Sequence, residues 1–108
     1  MWTVEEAKAR LNGVIGGPVS PFRPDLSLDL GALEENTAAM ARHPYRALLI
    51  AAGIAEFFSL TPEEIGESVA VGVRAAGATP VVGTVAFGLE TGRELARRQE
   101  RAGAAALL

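Results

Sequence analysis

Glu56-Phe57-Phe58-Ser59-Leu60-Thr61-Pro62-Glu63-Glu64 is the stretch on which the reading of the fold turns. Thr61 is placed to accept a hydrogen bond from the backbone three residues on. Pro62 takes the first helical position, where its missing N–H is no loss, and Glu64 reaches back to the cap. Ile65, Val69, Val73 and Ala76 follow at helical spacing and mark one buried stripe, which Gly77 ends. Before the motif, residues 47–52 read Ala-Leu-Leu-Ile-Ala-Ala, the continuous apolar run of a strand covered on both faces. Strand, short turn and capped helix make one β–α unit.

The unit repeats outward in both directions. Downstream, residues 80–85 predict a strand, a helix follows from 90 or 91 to 102, Gly103 caps it, and residues 104–108 begin a fourth strand. Upstream, Asp29 caps a helix over 30–42 whose apolar positions Leu30, Leu33, Thr37 and Met40 share a face; His43-Pro44 stops it. Residues 14–19 predict the first strand, followed by the turn-rich Ser20-Pro21-Phe22-Arg23-Pro24-Asp25. Thr3-Val4-Glu5-Glu6 is a capping box opening a short N-terminal helix that ends at Asn12-Gly13. The order is a helix, then β-α-β-α-β-α-β. Such alternation implies parallel strands with right-handed crossovers. It fits either an open doubly wound sheet or a (β/α)8 barrel, and the pattern alone leaves both open. No G-x-G-x-x-G or P-loop follows any strand, which weakens a nucleotide-binding open sheet.

Composition narrows the function classes. The 108 residues are 49% hydrophobic and 21% charged with a net charge of −3, so the chain has apolar surface to bury and is not a disordered tail. Ten basic against thirteen acidic residues leave no surplus to neutralise phosphates, so nucleic acid is not an expected partner. With no cysteine there is no disulfide framework, zinc knuckle or thiol nucleophile. The longest apolar run, 47–55, is far short of the roughly 18 residues of a membrane span, and the acidic start is unlike a signal peptide. A soluble, cytoplasmic α/β chain is expected. Twenty alanines and twelve glycines favour close backbone packing in a large domain, and the apolar end over 104–108 reads as a strand cut open.

Four stretches together resemble the dihydrodipicolinate synthase and N-acetylneuraminate lyase superfamily of barrel enzymes. They are Gly13-Val14-Ile15 through Val19-Ser20-Pro21-Phe22 with Asp29; Glu56 to Glu64; Pro80-Val81-Val82-Gly83; and Arg101-Ala102-Gly103-Ala104. The second is most similar to the 5-dehydro-4-deoxyglucarate dehydratase branch. The resemblance implies a (β/α)8 TIM barrel, a fold of about 250 residues. Residues 1–108 would then be the N-terminal part of a single barrel domain: an N-terminal helix, four strands (the last incomplete) and three helices between them.

The resemblance also implies Schiff-base chemistry, in which a sixth-strand lysine attacks the 2-oxo carbon of pyruvate or a keto-sugar acid and a fifth-strand tyrosine relays protons. The only lysine, Lys8, precedes the first strand and reads as a surface charge, so no catalytic residue is expected in this segment. The family's carboxylate-binding turn, G-T-T-G-E or G-G-T-G-E, reads Ala52-Gly53-Ile54-Ala55-Glu56 here. Gly53 matches the dehydratase branch, Ile54 replaces a threonine and Ala55 a glycine. Gly53, Ile54 and Ser20 are the implied substrate-binding residues, with Glu56 and Phe57 supporting the loop; Ala55 would be strained if the turn needs a positive φ there. Phe57 and Phe58 read as packing under the loop. His43 has no His or Cys partner, so neither a metal nor a cofactor is expected, and Arg93, Arg97, Arg98 and Arg101 with Glu94 and Glu100 read as a solvated helix face. The implied partner is a small-molecule 2-oxo acid, within a homo-oligomer. Two other readings stay open: a divergent non-catalytic ligand-binding or assembly member, which Ile54 and Ala55 favour, and an autonomous small α/β module.

Overall fold

A computed structural model describes residues 1–108. Helix α1 (Val4–Arg10) leads into strand β1 (Ile15–Gly16), helix α2 (Leu30–Ala41), strand β2 (Ala47–Leu49), helix α3 (Pro62–Ala75), strand β3 (Val81–Gly83), helix α4 (Leu89–Ala102) and strand β4 (Ala106–Leu107). Two single 3-10 turns, Gly53–Ala55 and Phe57–Ser59, join β2 to α3. Each expected element is present. The strands are shorter than their apolar runs because the backbone leaves the ladder soon after each begins.

All three strand pairs are parallel, with Ile15 opposite Ala47, Leu48 opposite Val81 and Val82 opposite Ala106. The sheet order is β1-β2-β3-β4. A doubly wound sheet reverses direction at a switch point; here every crossover steps the same way, as in a barrel. Helix α3 packs against both α2 and α4, so the helices form one layer. Between that layer and the sheet lies the core, built from Leu48, Ile50, Ile65, Val69, Val81 and Leu95, each at most 3% exposed. Ile65, Val69 and Ala76 are buried and Val73 is partly so, as the stripe on α3 requires. Where α3 crosses β2, Gly72 lets Ile50 Cγ1 approach to 2.6 Å of the place a Cβ would occupy.

Helix α1 stands at the amino end of the sheet, where the Trp2 N–H donates to the Ala105 carbonyl at 2.7 Å. Its capping box is complete: the Thr3 N–H donates to the Glu6 carboxylate at 2.8 Å, and the Glu6 N–H donates to the Thr3 hydroxyl at 3.2 Å. The Thr3 backbone N–H, and then its side chain, hold the Glu6 carboxyl below its ordinary value. A depressed folded value stabilises the helix fully above the unfolded carboxylate range, and that contribution is lost as pH falls through the folded value. Acidification should therefore fray α1 ahead of the sheet, visible as an early step in the fluorescence of Trp2, the only tryptophan. Glu6→Gln, which keeps the reach without the titrating proton, should remove that step; an unchanged step would show that α1 melts for another reason.

Candidate functional site

The carboxyl ends of the strands differ from the amino ends in one respect. At the amino ends the positive-φ residues are Gly13, Gly77 and Gly103, which tolerate that conformation. All four non-glycine residues with positive φ lie in the strand-to-helix loops: Leu26 after β1, Ala51 and Glu56 after β2, and Phe87 after β3. Such conformations cost of order 1–3 kcal/mol each and gather at functional sites. The strain is concentrated on the face where barrel enzymes build their active sites.

At the centre of that face is the turn after β2. The Gly53 and Ile54 N–H groups open the first 3-10 turn and have no acceptor within it. Both residues are exposed, Ile54 by 69%. Ala55, in contrast, is 1% exposed, and its N–H donates to the Ala52 carbonyl at 2.9 Å. The left-handed position is not Ala55 but Glu56, with φ 57° and ψ 38°. Ala55 therefore carries no positive-φ strain, and the conformational cost falls one residue later. The Glu56 N–H donates to Gly53 at 3.2 Å and its carbonyl accepts from Ser59 at 2.8 Å, so Glu56 holds the loop through its backbone.

Ser20 enters this site from the end of β1. Its hydroxyl donates to the Ala55 carbonyl at 2.6 Å across 35 residues of sequence, tying the first loop to the second. The donor is thereby committed to the protein and only the oxygen lone pairs stay free. Phe57 is half-buried against the core, whereas Phe58 is 81% exposed and does not pack under the loop. The Phe57 ring lies 3.9 Å from that of Phe58 and 6.1 Å, edge-on, from that of Phe87 beyond β3. Exposed Ile54, Phe58 and Phe87 thus stand in the same group of strand-to-helix loops as the two acceptor-free amides. Such a place suits an anion head with little charge around the rest of it.

Two residues absent from the sequence reading belong to the same face. Thr84, next after β3, is 6% exposed and its hydroxyl donates to the Ile50 carbonyl at 3.3 Å. Gln99 on α4 is fully buried, and its Nε2 donates to the Thr84 carbonyl at 2.7 Å. The signal for Gln99 was its place four residues after Leu95, inside the apolar stripe of α4. Arg23 also stands in the loop after β1, 3.7 Å from Asp29, and other charged groups lie farther away. Lys8 is exposed and pairs with Glu5 at 3.3 Å, His43 is exposed, and Arg98 bridges α4 to Glu63 at 3.0 Å. No group of three His, Asp or Glu side chains could hold a metal ion, and no helix is long and apolar enough to cross a membrane.

Parallel strands in sequential order, with the backbone strain gathered at their carboxyl ends, define the first four strands of a (β/α)8 barrel. No family model matches the chain. Over 109 residues and 100% of its length it is 38% identical to the probable 5-dehydro-4-deoxyglucarate dehydratase of Methylobacterium radiotolerans, covering 36% of that protein. It superposes on the dihydrodipicolinate synthase of Bacillus clausii with a TM-score of 0.87 and 27% identity, over 92% of this chain and 34% of the other. For the N-acetylneuraminate lyase of Mycoplasma synoviae the TM-score is 0.83 over 92% and 35%, and at 20% identity that likeness concerns the fold alone. The chain belongs to the dihydrodipicolinate synthase and N-acetylneuraminate lyase superfamily, corresponds to its N-terminal part, and spans about a third of the length of the curated relatives it matches.

Proposed function

We propose that this chain forms the carboxylate-binding side of a Schiff-base lyase acting on pyruvate or a 2-oxo sugar acid, with dehydration of a keto-sugar acid as the particular reaction. The observation that carries the reading is the pair of exposed, acceptor-free amides of Gly53 and Ile54 at the carboxyl end of β2. Two N–H donors on successive residues suit a carboxylate, and charge-assisted hydrogen bonds are the stronger kind. A lysine beyond these 108 residues would attack C2 of the bound acid. The carbonyl oxygen would leave as water to give an iminium. A base would take the C3 proton, and the C3–H pair would enter the enamine. The enamine would then expel the protonated hydroxyl of the next carbon as a second water. Lys8 does not serve, since it sits on α1 at the opposite end of the sheet. In this reading the enzyme is cytoplasmic, and a second copy would cover exposed Phe58 and Leu89.

One observation favours a second reading. Ile54 presents a 69% exposed apolar side chain where the family's threonine would offer a hydroxyl, which suits a non-catalytic member binding a less anionic ligand. Titration of the 15N-labelled chain with pyruvate separates the two. The Gly53 and Ile54 amide resonances should move first and furthest. Shifts spread over the arginine-rich face of α4, with those two unmoved, would leave the non-catalytic reading in place.

A further inference from the structure

From the hydrogen bonds at the ends of β2 and β3 we infer that Gln99 is a positioning residue for the amide cradle: it ends the β2–β3 ladder at Thr84 and so keeps the amides beyond Ala51 free. The inference rests on the carboxylate reading of Gly53 and Ile54. The ladder runs regularly at first, with Leu48 N–H donating to the Pro80 carbonyl at 2.9 Å and Ile50 N–H to Val82 at 3.1 Å. The next member of that series would be Ala52 N–H to the Thr84 carbonyl. It is not made. The Thr84 carbonyl instead accepts from Gln99 Nε2 at 2.7 Å, and the Ala52 N–H has no acceptor in the protein.

Two further features fit this arrangement. Ala51, between the last paired residue and the free amide, has φ +52°, a conformation that an alanine adopts only when its surroundings hold it there. If Ala52 stayed in the ladder, Ala51 would be extended and the 3-10 turn at Gly53 could not start where it does. The Gln99 amide is also fixed in orientation. Its Oε1 is buried without a partner and stands over Gly83, whose missing Cβ leaves room for it; the Gln99 Cδ is 3.0 Å from that Cβ position. A flipped amide would turn an oxygen toward the Thr84 carbonyl oxygen, which is repulsive. The side chain is therefore a donor from the helix layer, taking the acceptor that strand pairing would otherwise use.

The test is residue-resolved amide hydrogen exchange on the chain and its Gln99→Met variant, which keeps length and apolar volume but cannot donate. Release of the Thr84 carbonyl should let Ala52 join the ladder, so its N–H should exchange about tenfold more slowly, the equilibrium worth of one hydrogen bond. A purely structural loss would instead speed exchange everywhere, Ala52 included, and that result would overturn the inference. Gly83→Ala provides a second route should Gln99→Met fold poorly, because its Cβ would push the intact amide off Thr84; it should slow Ala52 in the same way, and an unchanged Ala52 there would count against Gln99. Pyruvate affinity should fall in both variants. If the parent chain shows no pyruvate binding at Gly53 and Ile54, the carboxylate reading fails by itself, while the Ala52 exchange rate still decides whether Gln99 ends the ladder.

Discussion

Replacing Ile54 by threonine is expected to tighten pyruvate binding by about ten- to a hundredfold, the equivalent of one hydrogen bond to a charged group at about 1.5–3 kcal/mol. The backbone donors of Gly53 and Ile54 are in place and do not depend on the side chain, so the substitution adds a hydroxyl to an existing cradle. Ile54 is 69% exposed, so the change leaves no cavity and should leave stability unchanged. Ile54→Val isolates the hydroxyl, since valine has the shape of threonine without its donor, and should bind pyruvate like the parent. Calorimetric titration of the three chains decides the matter. Equal affinities for threonine and valine would mean that the carboxylate does not sit against residue 54.

The largest loss of stability is expected from Gly17→Ala. A Cβ at Gly17 would collide with the Leu49 carbonyl oxygen and lie 3.1 Å from its carbon. Those are backbone atoms of β2 at the point where β1 passes it, so no side-chain rotation relieves the clash. The two strands must separate or shift. Overpacking in a tight core costs about 1–3 kcal/mol and more when the neighbour cannot yield, a large share of a stability of about 5–15 kcal/mol. The denaturant midpoint should fall with little change in slope. Gly53→Ala is the matched control, because a Cβ there meets nothing within 4 Å, and it should unfold like the parent. Loss of β1 would also displace Ser20 and release its hold on the Ala55 carbonyl.

What the sequence discloses and what it hides divide along physical lines. Caps are local and were legible: Thr3, Asp29 and Thr61 accept from the predicted amides, and Gly103 closes α4 with φ +97°. Parallel alternation was legible too. The alternation alone left barrel and doubly wound sheet open, because strand order depends on which way each crossover steps, and it was the family resemblance that pointed to the barrel found. Strand ends were overestimated for a similar reason. Apolar runs continue through 50–52 and 84–85, while the ladder stops where Ala51 turns left-handed and Gln99 captures the Thr84 carbonyl. The family resemblance implies Gly53, Ile54 and Ser20 as substrate-binding residues. It could not show that Ser20 reaches 35 residues ahead to Ala55, or that Glu56 rather than Ala55 carries the positive φ. Long-range partners of this kind leave no local pattern.

Borohydride reduction of the product of the complete reading frame in the presence of pyruvate, followed by mass mapping of the labelled peptide, tests the Schiff-base reading most directly. The expected result is a single adduct on a lysine outside residues 1–108, lost when Gly53 and Ile54 can no longer hold the carboxylate. An adduct on Lys8, or none with pyruvate and longer 2-oxo acids alike, would contradict it.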